Sequence, residues 1–215
     1  METDRQWGRR QDLEAGLRRA FDVVIAGTAL VVLMPVIAAA ALAVFVRMGP
    51  PVLFRHERAG RAGAPFVLLK LRTMRKLRGS GAGRRNADRR RLTRLGRLLR
   101  ATSIDELPSL VNVLRGEMSL VGPRPLPARY LPRYTQSQAR RHEVRPGVTG
   151  WAQVNGRNAM GWDNRLEYDL WYVANQSFAL DLAIIGRTFV SVVRRSGISH
   201  HGHATMPELP EPHSR

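Results

Sequence analysis

The sequence predicts a helix-rich α/β domain with a small sheet, preceded by an N-terminal membrane helix and carrying amphipathic helices suited to a lipid interface. Three observations predict it: an uncharged apolar run of 24 residues from Val23 to Val46, two short strand-like stretches soon after it, and several punctuated helical segments downstream. At 215 residues the chain has room for one globular domain and an appendage.

The apolar run VVIAGTALVVLMPVIAAAALAVFV spans ~36 Å as continuous helix, against a hydrocarbon core of ~30 Å. A secretory signal has an apolar region of only ~7–15 residues before its cleavage site, so this run is read as retained. Arg5, Arg9, Arg10, Arg18 and Arg19 precede it, and Arg47, Arg55, Arg58 and Arg61 follow. Two basic flanks suggest that both ends lie on the same, cytoplasmic, side. Pro35 stands in the middle, where it removes a backbone donor and kinks a helix. The residues alone leave two readings: a re-entrant helix broken at Pro35, or a span with a proline kink.

The membrane helix is assigned residues 1–50, the soluble domain 51–199 and a loosely ordered tail 200–215. PVLFRHERAG and PFVLLKLRTM read as strands joined by a Gly-containing turn. From Arg72 to Arg100 there are 12 basic residues and one acid, Asp88, interrupted by GSGAG and leading into a helix at RLTRLGRLLR. A stretch of this kind suits a solvated face or anionic lipid. GSGAGR lacks the last glycine of a dinucleotide fingerprint, because Arg84 occupies that position, and no Walker-type Gly-Lys-Ser/Thr occurs. A nucleotide is therefore held in some other way.

The net charge of +18, from 33 arginines and 2 lysines against 17 acids, favours polyanionic partners: phosphates, nucleic acid or an anionic leaflet. With no cysteine, the chain has no disulfide, thiolate nucleophile or zinc-thiolate site.

Against this basic background stands SIDELPSLVNVLRGEMSLVGPRP, Ser103 to Pro125. With Asp105 as N-cap, Pro108 falls at the third helical position, Leu107, Leu110, Val111 and Leu114 share an apolar face, and Gly116 ends the helix. Asp105 and Glu106 then sit at a helix start that suits anions, phosphate included. Both a capping device and a catalytic pair fit these residues. VGPRPLP holds Arg124 between two prolines, and RPGVTGWAQVNGRN adds Arg145 and Arg157, with Asn155-Gly156 signalling a hairpin turn. DNRLEYDLWYVANQS has helical apolar spacing at Leu166, Leu170 and Val173, and LDLAIIGRTFVSVVRRSG is amphipathic, with Arg187, Arg194 and Arg195 beside its apolar face. Three clustered histidines near the C-terminus resemble a metal tract, a pattern that more often has no function.

In ordered blocks, the chain resembles the bacterial sugar transferases, the small monotopic polyprenyl-phosphate phosphoglycosyl transferases. The blocks are RRAFD, PFVLLKLRTM, LTRLGRLLRATSIDELPSLVNVLRGEMSLVGPRP, RPGVTGWAQVNGRN and LDLAII, and they cover nearly the whole length. The ending RRSGIS..GHAT is most similar to members acting on diacetylated bacillosamine. The resemblance implies transfer of a sugar 1-phosphate from a UDP-sugar to undecaprenyl phosphate, releasing UMP and initiating glycan assembly. It implies Asp105 as nucleophile, Glu106 as a ligand of Mg2+, and a re-entrant helix broken at Pro35. Two positions depart from the pattern: Met34, where a serine often precedes the proline, and His56, in place of a frequent glutamine.

A covalent intermediate on Asp105 and ping-pong kinetics are expected from this. Arg100, Arg124 and Arg145, with Lys70, are the expected phosphate contacts, and whether Glu106 also acts as a base is left to geometry. The expected location is the bacterial inner membrane, with the catalytic domain on its cytoplasmic face. Membrane lipids and downstream glycosyltransferases are the expected partners, and nucleic acid is not. A nucleic-acid binder would need aromatics interleaved in its basic run. A membrane-anchored basic scaffold without catalysis is the other alternative.

Overall fold

The computed structural model describes residues 2–75, 91–156, 160–193 and 208–210. The GSGAG loop with Arg84 and Asp88, Arg157, Arg194, Arg195, the RRSGIS..GHAT ending and its histidines lie outside the described residues.

Helix α1 runs from Glu2 to Met48, 47 residues with Pro35 inside it. It continues as helix on both sides of Pro35, so the backbone pattern does not by itself display the expected break; a proline removes one donor and can leave the neighbouring turns helical. From Glu14 to Met48 the helix is long and apolar enough to cross a membrane. Val24, Val31, Val32 and Val46 are between 62% and 75% exposed, a bare apolar surface of the kind that lipid covers.

Both ends of this apolar stretch are fastened to the same domain. Near its start, Arg19 donates to the carbonyls of Val113 and Leu114 at 2.6 and 2.9 Å, and Asp22 accepts from the Ser119 hydroxyl and the Leu120 N–H at 2.7 and 3.0 Å. At its end, Arg72 donates to the carbonyls of Met48, Gly49 and Pro50. Ala26 packs with Phe66, Leu68, Leu110, Val113 and Met118, whereas Ala40 and Val44 pack with Leu71 and Leu99.

The two predicted strands form a hairpin. Strand β1 (Leu53–Ala59) pairs antiparallel with β2 (Pro65–Leu71) from Leu53↔Leu71 to Ala59↔Pro65, with a 3-10 turn at Arg61–Gly63 between them. Phe66 and Leu68 point into the core, and Lys70 follows on the same face by the period-two rule. Fully buried Asn112 seals the outer edge of β2: its side chain accepts from the Leu69 N–H at 3.1 Å and donates to the Val67 carbonyl at 2.8 Å. An edge strand with such a partner offers no free ladder there.

Helix α2 (Arg94–Ala101) begins at Thr93, whose hydroxyl accepts from the Gly96 N–H at 2.9 Å. The predicted helix at Asp105 is corrected. Ile104–Ser109 is a 3-10 turn and only Leu110–Leu114 is α-helix, α3. The N-cap position belongs to Ser103, in the left-handed region at φ +57°, and Asp105 lies inside the turn. The Leu110 N–H bonds the Leu107 carbonyl, leaving the Glu106 carbonyl to the Ser109 hydroxyl at 2.7 Å. The tighter winding rotates the apolar face, so Val113 is fully buried and Leu114 is 37% exposed. Gly116 does end the helix, at φ +80°.

Strand β3 (Ser119–Val121) pairs in parallel with β4 (Gly147–Thr149), so the described residues hold two small sheets rather than one. Between them lie a 3-10 turn, Ala128–Arg133, and α4, Gln136–Ala139, closed by a Thr135/Gln138 capping box. The hairpin expected at Asn155-Gly156 is instead the C-terminal end of a short helix, α5 (Trp151–Asn155). Helices α6 (Trp162–Asn175) and α7 (Phe178–Val193) follow as predicted. The inward face of α6 carries Arg165 and Asp169 beside Leu166 and Tyr172. Within the expected tail, Leu209 is 4% exposed against Leu126, Tyr130 and Leu166, and its carbonyl accepts from Arg133 at 2.6 Å.

Candidate active site

Four segments meet around the carboxylate pair. The 3-10 turn after Ser103 presents Asp105 and Glu106, β2 delivers Lys70, β1 delivers Arg58, and the Gly122–Pro125 turn delivers Arg124. That turn packs directly on β4: a Cβ on Gly122 would collide with the Arg145 carbonyl and the Gly147 nitrogen. A cleft opens between these elements, lined by Arg58, Lys70, Glu106, Arg124 and Gly147.

One oxygen organises the cations. Glu106 Oε1 accepts from Lys70 Nζ at 2.6 Å and from Arg124 Nη2 at 2.7 Å. Burial alone would raise the proton affinity of Glu106, but the charges and hydrogen bonds of Arg124 and Lys70 outweigh it and hold this carboxyl well below the usual range. Asp105, 7% exposed, shifts the other way. Burial raises its pKa first and the charge of Glu106 adds to that, while Lys70, Arg100 and Arg124 offset only part of the rise. Neighbouring carboxyls with diverging proton affinities are what a division of chemical labour requires.

The predicted phosphate contacts separate into two groups. Lys70 and Arg124 are at the pair, and Arg100, held to the Thr73 hydroxyl at 3.0 Å, is close enough for its charge to act on Asp105. Arg145 is turned elsewhere: it donates to the Gly116 carbonyl at 3.0 Å and feels Arg19, Arg61 and Asp22 rather than Glu106.

Two residues that sequence reading did not place in the site belong to it. Arg58, read only as flanking positive charge, donates to the Pro125 carbonyl at 3.2 Å, and its Nε is buried with no hydrogen-bond partner. Burial, then repulsion from Arg124 and Arg129, pulls its pKa down to about 10. A desolvated guanidinium crowded by other cations attracts an anion strongly. The second is Arg141, which donates to Asp169 and, at 2.7 Å, to the backbone carbonyl of Arg124, so it steadies the turn that carries Arg124. No local pattern marks either; both act through partners far away in the chain.

Two carboxylates among clustered cations are suited to chemistry on phosphates, and comparison with known proteins agrees with that. The family model for bacterial sugar transferases matches residues 13–195.

The chain belongs to the bacterial sugar transferase family.

This sugar transferase is 50% identical over 189 residues to the uncharacterized sugar transferase EpsL of Bacillus subtilis (strain 168), a match covering 88% of the chain and 93% of EpsL. It is 43% identical, over 82% of its length, to the UDP-glucose:undecaprenyl-phosphate glucose-1-phosphate transferase of Caulobacter vibrioides, covering 69% of that protein. It is 39% identical, over 84% of its length, to the UDP-galactose-lipid carrier transferase of Erwinia amylovora, but spans only 41% of that longer protein. The bare apolar helix and this family membership together indicate association with a membrane.

Proposed function

We propose that this transferase moves a sugar 1-phosphate from a UDP-sugar to undecaprenyl phosphate, releasing UMP, through a covalent phosphosugar on Asp105. The observation that carries the reading is the contrast at the pair: a buried, basic-shifted Asp105 beside a Glu106 already neutralised by Lys70 and Arg124. The names of the Caulobacter and Erwinia relatives, with their UDP-sugars and lipid carriers, point the same way.

In the first step an Asp105 carboxylate oxygen attacks the sugar-bearing phosphorus. The Oδ–P bond forms as the bond from phosphorus to the bridging oxygen breaks, and the electron pair leaves on UMP. In the second step an oxygen of the lipid phosphate attacks the same phosphorus, and breaking the Oδ–P bond regenerates the carboxylate. Lys70, Arg100, Arg124 and Arg58 stabilise the phosphate oxygens as charge moves between them. Glu106 holds Lys70 and Arg124 in place; its low proton affinity makes it a poor base.

Magnesium is part of the proposal as an ion carried largely by the substrate. Among the described residues no cluster of three carboxylates or imidazoles exists, so Glu106 would hold the ion together with substrate oxygens. Bound there, Mg2+ would supply charge neutralisation for the diphosphate.

The fastening of α1 supports a membrane placement as part of this reading. The helix between Asp22 and Met48 is long enough, at ~39 Å, to reach across a bilayer, yet both of its ends are bonded to one domain. A span would deliver them to opposite faces. A re-entrant α1, dipping into the bilayer near Pro35 with the domain on the cytoplasmic face, accounts for both the tethers and the bare apolar surface.

Asp105→Asn tests the mechanism. The variant keeps its fold, loses turnover by at least ~10³-fold and yields no sugar-phosphate adduct by mass spectrometry, whereas wild type incubated with donor alone releases UMP and accumulates the adduct. Near-normal turnover by the variant would sink the reading. The donor sugar stands between the bacillosamine suggested by the C-terminal ending and the glucose or galactose of named relatives, and UMP release from a panel of UDP-sugars decides it.

A further inference from the structure

A second concavity lies on the membrane side, between the C-terminal part of α1 and helix α2. Its floor is apolar, formed by Ala39, Leu42 and Ala43 of α1 and Leu95 and Leu98 of α2. Arg47 and Arg94 also line it. Both arginines stand at the same end, because the Thr93 hydroxyl meets the Met48 sulfur at 3.8 Å and so joins the end of α1 to the beginning of α2. From that charged end the groove runs back along α1 toward Pro35 and becomes wholly apolar.

We propose that this groove is a binding site for an anionic phospholipid of the surrounding bilayer, with the headgroup phosphate at Arg47 and Arg94 and one acyl chain along Leu98, Ala43 and Ala39. Three features select this occupant. The polarity changes along the groove in the order of a phospholipid, charged at headgroup depth and apolar toward the middle of the membrane segment. The charge is complementary: two exposed guanidinia and no carboxylate line the groove. Leu98, 54% exposed, sits on a helix whose mean composition is polar, so its burial needs a partner that enters from the lipid. The acceptor lipid is the poorer fit. The charged end of the groove is at the start of α2, whereas Arg100, whose charge acts on Asp105, stands ~9 Å of helix further along.

The inference rests on the membrane placement of α1 proposed above, and the test separates the two. The full chain is reconstituted in phosphatidylcholine vesicles containing phosphatidylglycerol with a diazirine-bearing acyl chain, irradiated, and its adducts are mapped. Adducts at residues 39–46 and 95–98 are measured against adducts at Val31 and Val32, which report ordinary lipid contact. The expected result is enrichment at the groove that falls at least 5-fold in Arg47→Gln/Arg94→Gln, but not in Arg55→Gln/Arg115→Gln, which removes the same charge elsewhere. Enrichment that is unchanged in the groove variant, that is equal with diazirine phosphatidylcholine, or that is abolished by added polyprenyl phosphate overturns the proposal. Labelling of Val31 and Val32 without groove enrichment overturns the groove alone; absence of labelling at both overturns the membrane placement with it.

Discussion

Arg141 donates to Asp169 Oδ2 from both Nε and Nη2, at 3.1 and 2.8 Å, in a pair whose side chains are only 2% and 1% exposed. The same Nη2 donates to the carbonyl of Arg124, so the pair braces the turn that brings Arg124 to Glu106. Replacing one partner of a buried pair leaves the other charge desolvated and alone, at a cost of ~3–5 kcal/mol. Asp169→Asn should therefore lower the denaturation midpoint in detergent substantially. The fraction that remains folded should release UMP roughly 10²-fold more slowly, because Arg124 is no longer held in register.

The pH dependence of UMP release should report Asp105, because Glu106 stays ionised throughout the working range. On the proposed mechanism Asp105 attacks as the carboxylate, so the rate should rise with pH through a pKa above the ordinary aspartate value. After burial, Glu106 is the largest contributor to that rise, and Lys70 is the largest opposing charge. The acid limb of the profile should move to lower pH in Glu106→Gln and to higher pH in Lys70→Gln, both at reduced maximal rate. Limbs that stay in place in both variants would assign the titration to another group.

His142 supplies a pH-sensitive element of stability. Burial, then the charge of Arg141, drives its pKa down to about 4, although its Nδ1 bonds the Gly60 carbonyl at 3.1 Å. The unfolded chain takes up this proton near pH 6.5 and the folded chain only near pH 4. The stability that neutral His142 provides at neutral pH is therefore lost as pH falls through this window, by ~3 kcal/mol in all. His142→Asn keeps a donor for Gly60 and cannot titrate. Its stability deficit relative to wild type should shrink by about that amount between pH 7 and pH 4, as followed by denaturant midpoints.

Because the chain has no cysteine, the topology of α1 can be read without background labelling. Single cysteines at Glu14 and Arg55, one on each side of the apolar stretch, should both be shielded from a membrane-impermeant maleimide in intact cells. Both should react once the cells are opened. Reaction of either from outside would exclude the re-entrant arrangement.

Much of this organisation is legible in the sequence because its causes are local. The apolar stretch around Pro35 declares its solvent by composition, the hairpin β1–β2 follows from alternation and a glycine turn, and the prolines flanking Arg124 announce a rigid turn. The DELP segment shows where local rules fall short. Capping preference puts Asp105 at a helix start, but a left-handed Ser103 and a 3-10 winding carry it two residues inside, where burial governs its proton affinity.

By itself, the sequence determined the family, an apolar segment long enough for a membrane and the adjacency of Asp105 and Glu106, since hydropathy, turn chemistry and ordered motifs depend on residues close together in the chain. Tertiary structure decided which cations serve that pair. Arg141 meets Asp169 across 28 positions, Asn112 meets Val67 across 45, and Arg58 meets Pro125 across 67. It also turned Arg145 toward Gly116 and away from the site. In a chain with 33 arginines, charge is too abundant to be a marker; which guanidinium loses its water beside a carboxylate is settled only when distant segments pack.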